Sequence, residues 1–114
     1  MKVIIAGSRT IEDYALVEQV VAASGFEITE VVSGAARGVD KLGESWALFH
    51  AVPITRFVAN WDAYGKKAGF IRNAEMGEYA DALIAITTGS SGTQNMIDCM
   101  MFKKAPVYIH QVEG

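Results

Sequence analysis

Short apolar runs rich in Val and Ile alternate along this chain with longer stretches whose apolar residues recur at helical spacing. Runs at 2–6, 28–32, 53–58, 82–86 and 106–110 predict five strands. Between the first two, Tyr14, Val17, Val21 and Ser24 share one helical face; Thr10 with Asp13 predicts its cap and Gly25 its end. Leu42, Trp46 and Phe49 mark a second helix, and Ala68, Ile71, Glu75, Met76 and Tyr79 a third. Met96, Ile97, Met100 and Met101 mark a fourth, closed by Lys103 and Lys104 where the helix dipole favours cations. Nearly continuous apolar strands separated by helices predict a parallel sheet covered on both faces. Right-handed crossovers then give an α/β, doubly wound, five-stranded sheet of order 3-2-1-4-5. The stretch from Ala59 to Gly65 is predicted to be irregular, beside the strand ends where lids lie.

Three strand-to-helix turns are rich in glycine and hydroxyls: Gly7-Ser8-Arg9, Ser33-Gly34-Ala35-Ala36-Arg37-Gly38 and Gly89-Ser90-Ser91-Gly92-Thr93. Parallel neighbouring strands bring all three to one sheet edge, with the turns at Gly7 and Gly89 flanking the point where the winding reverses. Helix N-termini offer unpaired N–H groups and partial positive charge, so the expected guest is an anion, a phosphate-bearing nucleotide or nucleotide derivative. None of the turns matches G-x-G-x-x-G or G-x-x-x-x-G-K-[ST], which argues against an ordinary NAD dehydrogenase or ATPase.

The 114 residues predict one domain over 1–114. A net charge of −3 is compatible with a local basic pocket but argues against a polyanionic partner, so a nucleic-acid partner is not expected. A lone Cys99 fits a reducing cytoplasm, and no apolar run or leader pattern predicts a membrane anchor or signal peptide. No metal-ligand spacing occurs, and neither a metal nor a cofactor is expected.

Among candidate residues, Arg9 and Arg37 lie inside glycine turns, where guanidinium forks suit phosphate. Lys66 and Lys67 open the third helix, the unfavourable end for a cation unless an anion sits nearby. Arg72, followed by Asn73, either reaches the pocket or pairs with Glu75 or Glu78. Trp61 and Tyr64 either stack on a base or pin their loop to the core. Asp40 reads first as a cap of the second helix; Glu44, Glu75 and Asp98 read as solvated or ion-paired helical carboxylates. His50 and His110 show no partner spacing, and Cys99 reads as buried and inert.

At these residues the chain resembles the SLOG superfamily, and within it the small YpsA-related group. The resemblance rests on Ala6-Gly7-Ser8-Arg9, Ser33 to Asp40, Asn60-Trp61, Tyr64-Gly65-Lys66, Ala68-Gly69, Ile71-Arg72-Asn73, Met76, Ala80-Asp81 and Gly89 to Thr93. It implies a Rossmann-like fold that binds nucleotides or nucleotide-derived molecules. Relatives include Lonely-guy phosphoribohydrolases, Smf-type DNA-processing proteins, molybdenum-cofactor carriers and sensors of ADP-ribose-like signals. The phosphoribohydrolases carry P-G-G-x-G-T-x-x-E with a catalytic glutamate; here Met96 stands at that position, while the arginine of their R-K-x-x-M segment is matched by Arg72.

The expectation is a module that senses or sequesters an ADP-ribose-like or cyclic nucleotide ligand without efficient turnover. Its ligand-binding set is Gly7, Ser8, Arg9, Ser33, Gly34, Arg37, Gly38, Asp40, Trp61, Lys66, Arg72, Asn73, Gly89, Ser91, Gly92 and Thr93. The enzymatic alternative is N-glycoside or phosphoribosyl hydrolysis, with Arg72 stabilising charge and Glu44, Glu75 or Asp98 replacing the missing glutamate; single-stranded DNA binding is a third. The reading fits two settings alike, a host defence pathway and a phage or mobile element. The fourth helix, Asn95 to Phe102, is apolar over more than one stripe, which predicts a homo-oligomer.

Overall fold

In a computed structural model, described over residues 1–113, five parallel strands form one sheet of order β3-β2-β1-β4-β5. They are β1 (Lys2–Gly7), β2 (Glu30–Ser33), β3 (Ile54–Arg56), β4 (Ala82–Thr87) and β5 (Val107–Gln111). The helices are α1 (Tyr14–Ser24), α2 (Val39–Phe49), α3 (Trp61–Tyr64), α4 (Ala68–Tyr79) and α5 (Ser91–Lys103), with a 3₁₀ turn at Gly65–Lys67. The predicted third and fourth helices are thus α4 and α5, and the predicted strand order is the one found.

Strand alternation divides the core. Val3, Ile5, Val31, Ile84 and Ile86 face α1 and α2, whereas Ile4, Ala6, Val32, Leu83 and Ala85 face α4 and α5. The two central strands are buried on both sides, so their apolar runs are unbroken; β3 and β5 are edges and more exposed.

Local expectations fail in four places. Asp13, not Thr10, caps α1, its carboxylate accepting from Leu16 N at 3.2 Å, while Gly25 ends the helix in the left-handed conformation as expected. The stretch Ala59 to Gly65 is not irregular: Asn60 caps the short helix α3 by accepting from Ala63 N at 3.1 Å. The buried face of α2 is Val39, Asp40, Gly43, Glu44 and Ala47; Phe49, expected inside, is 75% exposed. Gly43 explains that rotation, because a Cβ there would lie 2.8 Å from Ile5 Cβ and only glycine lets α2 sit so close to β1. Cys99, expected buried, is half-buried beside Phe102.

Lys103 closes α5 as expected, but its ammonium serves another helix. It donates to Gly77 O at 2.8 Å and Ala80 O at 2.5 Å, satisfying carbonyls at the end of α4.

Candidate functional site

The winding reverses between β1 and β4, and the backbone there leaves no room for side chains. A Cβ on Gly7 would stand 1.9 Å from Ile86 O, so β1 must end in glycine. Gly38 has φ +75° and approaches Ser8 O so closely that a Cβ would fall 2.4 Å away. The Ser8 hydroxyl then joins the two halves: it accepts from Thr88 N at 2.9 Å and shares a hydrogen bond with Thr88 Oγ1 at 3.0 Å.

Above this seam lies a cavity of about 480 Å³, inside the roughly 300–1,000 Å³ range of small-molecule sites. All three glycine turns reach it. Gly7 and Arg9 come from the first, Gly34, Arg37 and Asp40 from the second and the start of α2, and Ser91, Gly92 and Thr93 from the start of α5. Trp61, Lys66, Arg72 and Asn73 also line it, from α3, the 3₁₀ turn and α4. Ser8, Ser33, Gly38 and Gly89 are not in the lining; they shape it from behind. Ser33 donates to Glu44 Oε2 at 2.7 Å and accepts from Ala35 N, which sets the second turn, and Gly89, at φ +103°, lets the third turn enter α5.

No side chain caps the N-terminus of α5. Ser90 occupies the cap position, but its hydroxyl donates to Thr93 Oγ1 at 2.8 Å instead of accepting a backbone N–H. Thr93 lies inside the helix. An uncapped first turn against a cavity is the arrangement that receives an anion.

Arg72 settles the choice between pocket and surface. It donates to Gly34 O at 2.6 Å through Nη1 and to Asn73 Oδ1 at 3.0 Å through Nε, and Asn73 donates to Gly92 O and Asn95 Oδ1. One guanidinium thus ties the second turn to the start of α5. Burial, more than any neighbouring charge, lowers its pKa from the ordinary arginine value. Arg9, Arg37 and Lys66 are exposed at the rim and make no ion pair among the described residues. Trp61, 59% exposed, completes the wall; Tyr64 is exposed and outside the lining.

The acidic groups separate clearly. Met96 is buried in the lining where the phosphoribohydrolase motif has glutamate. None of its candidate replacements lines the cavity. Glu44 is buried behind Ser33 with Arg56 Nε at 2.9 Å, Asp98 accepts from Gln94, and Glu75 is exposed. Asp40 is the carboxylate in the lining, only 5% exposed. It does not cap α2, whose N-cap is Gly38, but accepts from Ala36 N at 3.3 Å. Burial raises its pKa to about 6, against smaller opposing effects from backbone N–H groups and Arg72. Sequence reasoning underrated Asp40; the available signal was its spacing with Glu44 and Ala47 on the face that carries Gly43.

No described helix is long and apolar enough to cross a membrane. Residues 1–64 match the model of the YspA, cpYpsA-related SLOG family. The chain is 36% identical over 106 residues to the Gene 61 protein of Mycobacterium phage D29, covering 82% of this chain and 83% of that protein. The crystal structure of DNA processing protein A (DprA) from Streptococcus pneumoniae superposes on 95% of this chain with TM-score 0.78 at 18% identity. This chain spans 49% of that one, and the likeness is one of fold. The glycine turns, the strand order and the sequence matches lead to one conclusion: the chain belongs to the YspA, cpYpsA-related SLOG family.

Proposed function

We propose that the chain, as one domain, binds a nucleotide or nucleotide-derived ligand in the cavity above the β1–β4 seam and holds it without efficient turnover. The carrying observation is the convergence on one cavity of Arg9, Arg37, Lys66, Arg72 and the uncapped start of α5. Phosphate would lie against the α5 amides and the guanidinium forks, and Trp61 offers a face for a base. Met96 in place of a carboxylate argues for holding over hydrolysis. A cytoplasmic location belongs to the same proposal, since such ligands and free thiols such as Cys99 both occur there.

A thermal-shift screen against nucleoside mono- and diphosphates, ADP-ribose and cyclic nucleotides tests the reading. A ligand at a hundredfold excess over Kd stabilises the fold by about 2.7 kcal/mol. Chromatography of the same mixtures looks for released base. A melting temperature unmoved by every nucleotide but raised by oligothymidine would replace this reading with DNA binding, and steady release of base would replace it with hydrolysis.

Self-association through α5 belongs to the same proposal. Phe102 is 93% exposed and Met101 58% exposed, on a helix whose Met96, Ile97 and Met100 are already buried in the core. Sedimentation as a monomer at micromolar concentration, with and without nucleotide, would overturn this part alone.

A further inference from the structure

Asp40 is a buried carboxylate with too few partners for its chemistry. It forms no ion pair among the described residues, where the pairs are Lys41–Glu44, His50–Glu18 and Arg56–Glu44. Its hydrogen bond comes from the backbone N–H of Ala36 at 3.3 Å. An ionised carboxylate has about four acceptor positions, so roughly three remain open on a group that lines the cavity. Gly34 keeps that approach clear: a Cβ there would lie 2.8 Å from Asp40 Oδ2 and 3.0 Å from Arg72 Nη1.

The surroundings of Arg72 give the carboxylate its place in the site. On one side the guanidinium bonds Gly34 O, with Asp40 across the same glycine. On another it nears Gly69, where a Cβ would lie 3.7 Å from Arg72 Nη2 and 3.5 Å from the Trp61 ring. Through Asn73 it reaches Gly92 at the start of α5. A carboxylate, an aromatic wall and an uncapped helix start therefore lie around one cation. A phosphate oxygen cannot occupy the Asp40 corner, because two anions would face each other in a buried site. A neutral donor can, and between the base and phosphate of a nucleotide the neutral donors are ribose hydroxyls.

We infer that Asp40 is a specificity-determining residue that accepts a hydrogen bond from a ribose hydroxyl, so that the site takes ribonucleotides in preference to deoxyribonucleotides. The inference rests on the nucleotide-binding reading above and adds the sugar to it. The groups that face Asp40 are Arg72 from α4, Glu44 from its own helix, and the Gly7 and Ala36 N–H groups. A test at pH 8 keeps the carboxylate ionised.

Calorimetry at pH 8 with ADP, 2′-deoxy-ADP and 3′-deoxy-ADP measures the preference directly in the unaltered protein. The expected result is a loss of roughly tenfold or more in affinity for at least one deoxy compound, the size of a hydrogen bond to a charged group. Asp40→Asn should shrink that ratio to about twofold or threefold while 2′-deoxy-ADP still binds, and its melting curve reports whether it folds. Equal affinities for all three compounds in the unaltered protein would overturn the assignment of Asp40 and leave the nucleotide site standing. No binding of any of the three, with affinity for other ribonucleotides also absent, would overturn both.

Discussion

Neutralising Asp40 should change how stability depends on pH, and the direction follows from its burial. The carboxyl titrates at about 6 in the folded protein against an ordinary value of 3.8. The folded state therefore binds the proton more tightly than the unfolded chain. Its stabilising contribution is complete below pH 3.8, declines as pH rises through that interval, and is gone above about 6. A shift of about two units corresponds to roughly 3 kcal/mol, and Asp40 is too buried for solvent to screen much of it. Other carboxylates act in the opposite sense: the hydrogen bond from Tyr79 lowers the Glu30 pKa, so acid removes that stabilisation.

The quantity to measure is therefore the difference between the unaltered protein and Asp40→Asn. Asparagine keeps the size and an acceptor oxygen for the Ala36 N–H but carries no charge. Urea unfolding at pH 4 and pH 7 should show the variant gaining on the unaltered protein by about 2–3 kcal/mol between the two. A difference that stays flat would mean that Asp40 is ionised at little cost, through hydration or closer pairing with Arg72. A difference falling with pH would reverse the sign and refute the argument.

Arg9→Ala or Arg37→Ala should weaken ADP binding by roughly ten- to a hundredfold with little change in melting temperature, because both guanidiniums lie at the rim outside any ion pair; calorimetry beside melting curves checks both halves. Gly7→Ala should cost about 3 kcal/mol or more, since its Cβ would meet a backbone oxygen at 1.9 Å that cannot move without parting β1 from β4; native-like stability in urea would contradict the close approach. Lys103→Met should cost about 1 kcal/mol by leaving the Gly77 and Ala80 carbonyls unpaired at the end of α4, seen as faster amide exchange over Lys2 and Asp81, whose bonds border that end.

The strand order was legible because unbroken Val and Ile runs occur only where a strand is buried on both faces, as β1 and β4 are. Helix orientation was less legible. On α2, Leu42, Trp46 and Phe49 are the larger apolar residues, yet the close approach at Gly43 turns Asp40, Glu44 and Ala47 inward. Hydrophobic periodicity weighs side-chain size and cannot register an interface set by a missing side chain. The same limit hid Lys103, whose local dipole preference was right while its bonds lie on a helix distant in sequence. At the site, the glycine turns announced themselves by composition, but which residues face the cavity and which stand behind it depends on crossovers. Ser8 and Ser91 look alike in sequence; one ties β1 to β4 and the other lines the cavity.

Arg72 shows how fold and site depend on each other. A half-buried guanidinium held by a carbonyl, an amide side chain and no carboxylate retains its positive charge in poor solvent. Asp40 nearby keeps a carboxyl whose ionisation is itself disfavoured. Well-packed apolar residues in both positions would make a more stable wall at this edge of the sheet. Stability therefore does not account for the pair, and a bound molecule carrying both anionic groups and neutral donors would compensate each residue separately. Two under-partnered, oppositely charged side chains in one cavity carry a stability cost that a bound ligand would relieve. The protein should thus gain more in melting temperature from a ribonucleotide than from inorganic phosphate at equal occupancy, since phosphate can satisfy Arg72 alone.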